Sequence, residues 1–441
     1  MSMPKTFEIR DPIHGFITVT EWEKTVIDHP AFQRLRRIRQ LGLSELIYPG
    51  TTHTRFEHSL GVMHIGTKMF DQIVQKCKDF LCDELYFNEA GLKRDRTIVR
   101  FACLLHDIGH SPFSHAGEEI MPVRPDGKHY KHEDYSSAII RIILKDVIEN
   151  HPDNQNLEIK ADNIADMIEG SPRQGRRHLW HNIVSSQLDA DRSDYLLRDS
   201  YYAGVSYGHF DLNRILNTLT VAYNNERSPV FAIEEGGKHA AEALIIARYM
   251  MFWQVYFQKT RRICDYHATE AVKLLLKRYS DGRFPIPKDK KNLEDYLDWD
   301  DYKVFGEMKM KDNRCGRHAD CLFKRNPDRC VYESPMVTPS PGEKPHLKQF
   351  KEDDEAFETI KKELGNKVTF IDDASASWYR INEGIPIYNS ENRKIEDLSS
   401  MSQIIPALMN SGRKRIYVKE QDRKTAKEII TNLHVNEQGK K

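Results

Sequence analysis

Four residues far apart in the chain have the chemistry of a metal site: His58, the adjacent pair His106 and Asp107, and Asp191. Two imidazoles and two carboxylates form a mixed nitrogen and oxygen set. It suits one Fe, Mn, Zn or Mg ion with positions left for water and substrate. A cation held in this way activates water and neutralises charge on an attacked phosphate. Arg55, Arg192, Lys259 and Arg262 are cationic groups of the kind that bind phosphate oxygens. Phosphate-ester hydrolysis is therefore the leading chemistry, and the lack of a glycine-rich P-loop argues against a kinase or an ATPase motor. Eight of the 19 histidines lie between residues 53 and 132, which is the clustering that metal binding and proton transfer need.

The strings around these residues say how they would be held. In Leu104-Leu-His-Asp-Ile-Gly-His-Ser-Pro-Phe-Ser-His115 a very apolar helix runs into His106 and Asp107, and Gly109 and Pro112 stop it. An imidazole and a carboxylate at the end of a buried helix are costly unless paired or metal-bound. The break that follows aims His110 and His115 into the same space. In Arg55-Phe-Glu-His-Ser-Leu-Gly61, His58 opens a helix, and the small residues after it let another helix approach closely. On a helix spanning 182–200, Val184, Leu188, Asp191 and Tyr195 share an apolar face, so Asp191 is expected to be buried and Asp194 not.

The positioning elements are mainly helical. Phe7–Arg10 and Phe16–Val19 flank the turn-like Asp11-Pro-Ile-His-Gly15 and predict a hairpin. Stripes at Ile65, Met69, Ile73, Cys77 and at Tyr135, Ile139, Ile142, Ile143, Val147 predict amphipathic helices. Further helices are predicted over 161–169, 182–200, 210–222 and 239–278, with a small hairpin around Val230–Ile233 closed by Glu-Glu-Gly-Gly. Prolines and glycines after Tyr279, and four prolines in 335–345, mark boundaries. Beyond them a helix near 351–364 and strands at Val368–Ile371, Ile385–Tyr388 and Arg415–Val418 form a small α+β region. The expected organisation is a phosphohydrolase domain over 1–280, a linker or regulatory region with a Cys/His-rich loop over 281–345, and the α+β region over 346–441.

Composition narrows the class. The 441 residues carry 66 Lys plus Arg against 66 Asp plus Glu, which excludes a uniformly basic nucleic-acid coat. At 39% hydrophobic and 10% aromatic the chain has the apolar groups to fold. No run of roughly 18 apolar residues and no secretory leader is present, so a cytoplasmic protein without a membrane partner is expected, with its seven cysteines reduced.

The order His58, His106-Asp107, Asp191 resembles the H…HD…D pattern of HD-domain phosphohydrolases. Asp11-Pro-Ile-His-Gly, Phe32-Gln-Arg-Leu-Arg, Gln40-Leu-Gly, Arg55-Phe-Glu-His-Ser-Leu-Gly-Val and Asp189-Ala-Asp-Arg-Ser-Asp-Tyr-Leu-Leu-Arg-Asp look like the branch of deoxynucleoside triphosphate (dNTP) triphosphohydrolases that includes the vertebrate SAM- and HD-domain enzyme and its bacterial relatives. The resemblance is dense from residue 7 to about 262 and traceable to about 420, and it leads to the expectation of a catalytic domain without a preceding SAM domain. It implies an HD-domain helical core and hydrolysis of a dNTP to deoxynucleoside and inorganic triphosphate. His58, His106, Asp107 and Asp191 would hold one divalent metal. His115 would be the general acid with Glu118 as its partner, and His110 and His132 would line the α-phosphate. Arg55 and Arg192 would grip phosphates, Gln40, Leu41 and Tyr195 would surround the deoxyribose, and Asp199 would accept from the 3'-hydroxyl. Asp28, Gln33 and Arg36, with Arg214, match a regulatory site for a guanine or deoxynucleotide activator, which implies a homo-oligomer, a tetramer.

Several features depart from the family. Gln258 stands where the family usually has His, in a position next to substrate. Cys315, His318, Cys321 and Cys330 offer a second, tetrahedral zinc site. Gln258 and the altered loops keep open an HD phosphohydrolase for another nucleotide or a phosphodiester, and the basic run at 34–39 keeps open a nucleotide or single-stranded nucleic-acid binding module with a vestigial HD site.

Overall fold

The computed structural model describes residues 5–310, 314–334, 347–376, 379, 383–408 and 411–438. Its N-terminal hairpin pairs β1 (Thr6–Asp11) with β2 (Gly15–Thr20), Asp11 lying opposite Gly15. Asp11 Oδ1 accepts from the backbone N–H of Ile13 and of His14, each at 2.9 Å. The closing residue has φ +78°, a conformation that glycine adopts without strain. The turn motif of the sequence is thus a local device that holds His14 in a fixed place.

Three helices build the centre. The first, Arg55–Lys76, starts at a capping box in which Glu57 accepts from the Thr54 N–H at 2.7 Å. Its stripe Ile65, Met69 and Ile73 is fully buried. It packs against Glu89–Leu105, whose last eight residues are buried, and against Ala190–Ala203. The approach to the third helix is very close: a Cβ on Gly61 would lie 1.9 Å from Asp194 Oδ1 and 2.5 Å from an Arg198 Nη. The small residues after His58 therefore do what their size predicts.

Longer predicted elements break where local chemistry changes. The 182–200 segment is two helices, His181–Val184 and Ala190–Ala203, because Asp189 accepts from the Arg192 N–H at 2.7 Å and caps a new start. The 210–222 helix stops at Thr218, and Leu219–Tyr223 continues as β3. β4 (Pro229–Glu234) pairs antiparallel with β3, so the hairpin turns at residues 224–228 and not at Glu234-Glu-Gly-Gly. The long helix 239–278 divides into Lys238–Met251, a π-helical turn Phe252–Tyr256, and Lys259–Leu276. A similar π turn at Ile139–Ile143 rotates the following face, which leaves Ile142 exposed although Tyr135 and Ile139 are buried.

The remaining strands are β5 (Arg329–Glu333), β6 (Val368–Ala376), β7 (Pro386–Asn389), β8 (Lys394–Asp397) and β9 (Ser411–Val418). One sheet runs β5-β9-β6, and the other runs β3-β4-β7-β8 with β4 and β7 parallel. Segment 281–345 thus lends a strand to the C-terminal sheet, while 386–397 extends a sheet begun at residue 219. The proline-rich stretch 335–345 lies outside the described residues. The predicted helix near 351–364 begins earlier, as Leu347–Leu364. Overall the chain is mainly α, as expected.

Gly61→Ala should cost about 1–3 kcal/mol by overpacking the contact between the two helices. Urea denaturation measures it; a loss within error of zero would show that the helices can part freely.

Candidate active site

The three helices bring the four expected ligands together. His58 Nε2 lies 3.1 Å from Asp191 Oδ1 and 3.5 Å from Asp107 Oδ2, and His106 Nε2 lies 3.3 Å from Asp107 Oδ1 and 3.7 Å from Asp191 Oδ1. Neither Nε2 makes a hydrogen bond of good geometry, although both imidazoles are buried. Their other nitrogens are committed. His58 Nδ1 is 2.8 Å from Asp194 Oδ2 and His106 Nδ1 is 2.8 Å from the Cys103 carbonyl. Both partners can only accept, so Nδ1 carries the proton and the Nε2 lone pair is left for a ligand bond. Two orphaned buried nitrogens beside two carboxylates fit a divalent cation.

The electrostatics follow the same logic. Burial would lower the pKa of His58, but the neighbouring carboxylates of Asp191, Asp194 and Asp107 push it up to about 10. Burial would raise Asp191 and Asp107. Instead His106 and His58 hold Asp191 below the usual carboxylate range, and Arg55 with His106 does so for Asp107. His110 is pushed well below the usual imidazole range by burial and by Arg55 and His132, whereas Glu118 and Glu133 raise His132 against its burial. The two rings stack with centroids 3.9 Å apart. His132 therefore holds its proton more tightly than His110 does.

One residue of the support was misjudged from the sequence. Asp194, expected off the apolar face, is fully buried, and a third of the Asp191 side chain is exposed. The helical phase carried from Val184 through Asp191 is broken by the new start at Asp189. Asp194 accepts from Arg198 Nε and Nη2 at 2.7 and 2.9 Å and from His14 at 2.6 Å, and Arg198 Nη1 donates to Asp11 at 2.8 Å. The spacing of Asp194 and Arg198 and the Asp-Pro-Ile-His-Gly turn were the sequence signals for this network.

A cavity of about 420 Å³ opens on Asp107 and Asp191. Its wall includes Gln40, Leu41, Arg55, Asp107, His110, His132, Asp191, Tyr195 and Asp199, all singled out from the sequence. It also includes Phe252, Tyr256, Phe257, Arg261, Asp265 and Tyr266, which were not. Asp199 accepts from Tyr256 at 2.8 Å and from His53 at 2.7 Å. Arg55 bonds Ser114 at 3.0 Å and pairs with Asp107. Glu118 pairs with His132 at 2.9 Å, and the His115 side chain lies outside the described residues.

Other expected residues stand elsewhere. Arg192 turns to Asp189 and the Ser186 carbonyl and is not part of the cavity wall. Gln258 is also absent from the wall; its side-chain oxygen accepts from the N–H of Thr260 at 2.6 Å and of Arg261 at 2.9 Å, capping the helix Lys259–Leu276. Arg262 lines the cavity but pairs with Asp372 at 2.7 Å. Of the regulatory set, Asp28 is exposed and paired with Lys24, Arg36 bonds Gln33 at 2.9 Å, and Arg214 on a separate helix bonds the Gly236 carbonyl.

The zinc set does not assemble. Among the described residues Cys315, His318, Cys321 and Cys330 do not converge; Cys321 approaches His267 and Asp328 instead. Arg317 holds Asp328 through two 2.8 Å bonds, so a guanidinium already supplies the positive charge there. Cys330 is drawn into β5, where its thiol donates to the Tyr332 carbonyl at 3.2 Å.

A helical core brings two His and two Asp together beside an arginine-lined cavity, an arrangement that could hold a divalent cation. The HD domain pattern matches residues 55–199 and the HD associated region matches residues 210–441, and the chain belongs to this HD-domain phosphohydrolase family. It is 30% identical over 443 residues to the uncharacterized protein YwfO of Bacillus subtilis (strain 168), covering 94% of this chain and 91% of that one. It is 36% identical over 201 residues to the deoxynucleoside triphosphate triphosphohydrolase SAMHD1 homolog of Dictyostelium discoideum, covering 45% of this chain and 37% of that protein. The crystal structure of a hypothetical protein from Aquifex aeolicus superposes with a TM-score of 0.75 at 29% identity, over 97% of this chain and all of that one. No helix among the described residues is long and apolar enough to cross a membrane.

Asp194→Asn should weaken Mn2+ binding about 10–100-fold, because His58 loses the carboxylate that fixes its tautomer. Isothermal titration reads the affinity directly, and an unchanged value would sink the role assigned to Asp194. In the metal-free protein His58 is protonated at pH 7, since its pKa lies near 10. A cation must displace that proton, so Mn2+ affinity should rise between pH 6.5 and 9. Titrations in buffers of different ionisation heat should report about one proton released per ion, and no release would contradict the protonated state.

Proposed function

We propose that the chain is a metal-dependent dNTP triphosphohydrolase that releases deoxynucleoside and inorganic triphosphate. The observation that carries this reading is one cavity whose wall holds Asp107 and Asp191 of the ligand set together with Gln40, Leu41, Tyr195 and Asp199. The Dictyostelium relative, named for this activity, supports it over the shared segment.

His58, His106, Asp107 and Asp191 would hold a divalent cation, which supplies activated water and charge neutralisation at the α-phosphorus. The chain's own groups do the rest. Arg55, fixed by Ser114 and Asp107, offers its remaining N–H donors to phosphate oxygens. His132, its pKa raised by Glu118 and Glu133, donates to the α-phosphate, and His110 packs against it. His115 is the proposed donor of the proton to the departing 5'-oxygen. Asp199, held by Tyr256 and His53, keeps lone pairs for the 3'-hydroxyl. Tyr195 and Tyr256 press on the sugar, and close packing there disfavours a 2'-hydroxyl.

Activation by a guanine or deoxynucleotide at Asp28, Gln33 and Arg36 through a homotetramer belongs to the same proposal. The adjoining Gln33 and Arg36 side chains support it. Gln258, which had motivated a different substrate, caps a helix, so nothing in the cavity favours that alternative. A purely binding role leaves the orphaned His58 and His106 nitrogens without a purpose.

Each dNTP, alone and in mixtures, should be incubated with Mn2+ or Mg2+ and the products separated. Triphosphate and free nucleoside are expected, and Asp107→Ala should fall to background. Pyrophosphate with monophosphate would overturn the reading. Single-strand binding that survives Asp107→Ala without any turnover would favour the binding module.

A further inference from the structure

Two helices of the segment expected to be a linker, Lys290–Leu297 and Asp301–Met308, brace the turn that follows the HD pair without lining the cavity. Asp301 is completely buried. Its Oδ1 accepts from the Phe113 N–H at 2.7 Å and its Oδ2 accepts from the Arg39 N–H at 2.8 Å. One carboxylate therefore ties together two segments that lie 74 residues apart in sequence, 39 and 113.

The turn it grips is unusual. Phe113 and Ser114 are consecutive non-glycine residues with φ +57° and +55°. Such backbone persists only where the surroundings over-determine it. The surroundings here come mostly from the same two helices. Tyr296 OH donates to the Gly109 carbonyl at 2.7 Å, and the Phe305 ring meets the Phe113 ring edge-on with centroids 5.0 Å apart.

The left-handed pair delivers Ser114 to the active site. Its hydroxyl donates to the Arg39 carbonyl at 2.6 Å and accepts from Arg55 Nε at 3.0 Å, and Arg55 pairs with Asp107. The contact chain from Asp301 through Phe113 and Ser114 to Arg55 and Asp107 has no gap. The residues next to Asp301 hold the same arginine-rich segment: the Trp299 carbonyl accepts from Arg34 at 2.8 Å, and Asp300 pairs with Arg37.

We infer that Asp301 is a positioning residue, locking the left-handed turn after the HD pair onto the arginine-rich segment so that Ser114 holds Arg55 at the cavity. The inference rests on the phosphohydrolase reading of that cavity. Asp301→Asn keeps one acceptor but sets an NH2 group against the second backbone N–H, so one of the two amides loses its partner.

Hydrogen exchange and steady-state kinetics test this together. In Asp301→Asn the Phe113 or Arg39 amide should exchange at least tenfold faster while core amides of Arg55–Lys76 keep their protection. With the best dNTP, kcat should fall at least tenfold and KM should change less than threefold, because Arg55 and Asp107 are misplaced while the cavity stays formed. Ser114→Ala, which removes the next tie without touching a buried charge, should lower kcat in the same direction and serves where Asp301→Asn does not fold. Unchanged exchange at both amides, or unchanged kcat in a folded variant, overturns the inference. Failure of the unaltered protein to hydrolyse any dNTP would defeat the functional reading alone, since amide exchange still decides whether Asp301 clamps the turn.

Discussion

The buried carboxylate of Asp194 is the interaction on which the rest depends. It is fully enclosed, a position that would favour the neutral acid, yet Arg198 and the hydrogen bonds from His14 and His58 hold it ionised. Removing one partner from such a group leaves a buried charge uncompensated, at a cost of about 3–5 kcal/mol. The network joins three elements: His14 comes from the hairpin turn, His58 from Arg55–Lys76, and Asp194 with Arg198 from Ala190–Ala203. Gly61 belongs to the same constraint, since only a residue without a side chain lets those helices approach this closely. The chemistry inherits its geometry from this junction, because the nitrogen of His58 opposite Asp194 is the one turned to Asp191.

Charge is arranged by depth. Overall it balances, with 66 positive and 66 negative side chains. Within the site acids and bases alternate at close range, which keeps the buried Asp107 and its neighbour Asp191 ionised and separates His110 from His132 in proton affinity. A neutral total is therefore compatible with a polyanionic substrate: what matters is the local excess of donors around the cavity, where Arg55 and Arg261 join the histidines.

Much of the site could be read from the chain because its signals are local. The Asp11 turn and the apolar run ending in His106 and Asp107 are each written within a few residues, and both took the expected form. Where elements were overextended, the stop was also local but easily masked by hydrophobic periodicity, as at Asp189 and at the π turn Phe252–Tyr256. The zinc expectation failed because closeness in sequence does not bring thiols together: Cys330 is drawn into a strand and Cys321 faces Arg317.

By itself the sequence determined the candidate ligand types, the helices that carry His58 and lead into His106 and Asp107, and the turn at Asp11, all consequences of backbone geometry and side-chain period. Only the tertiary structure decided which carboxylate is buried, that Tyr256 and His53 share Asp199, that 386–397 completes a sheet begun at residue 219, and that Asp301 braces a turn near residue 113. These pairings join residues from about 57 to 188 positions apart. No periodicity spans such gaps, because what fixes them is the cost of leaving a buried polar group without a partner, and that partner exists only once the chain has folded.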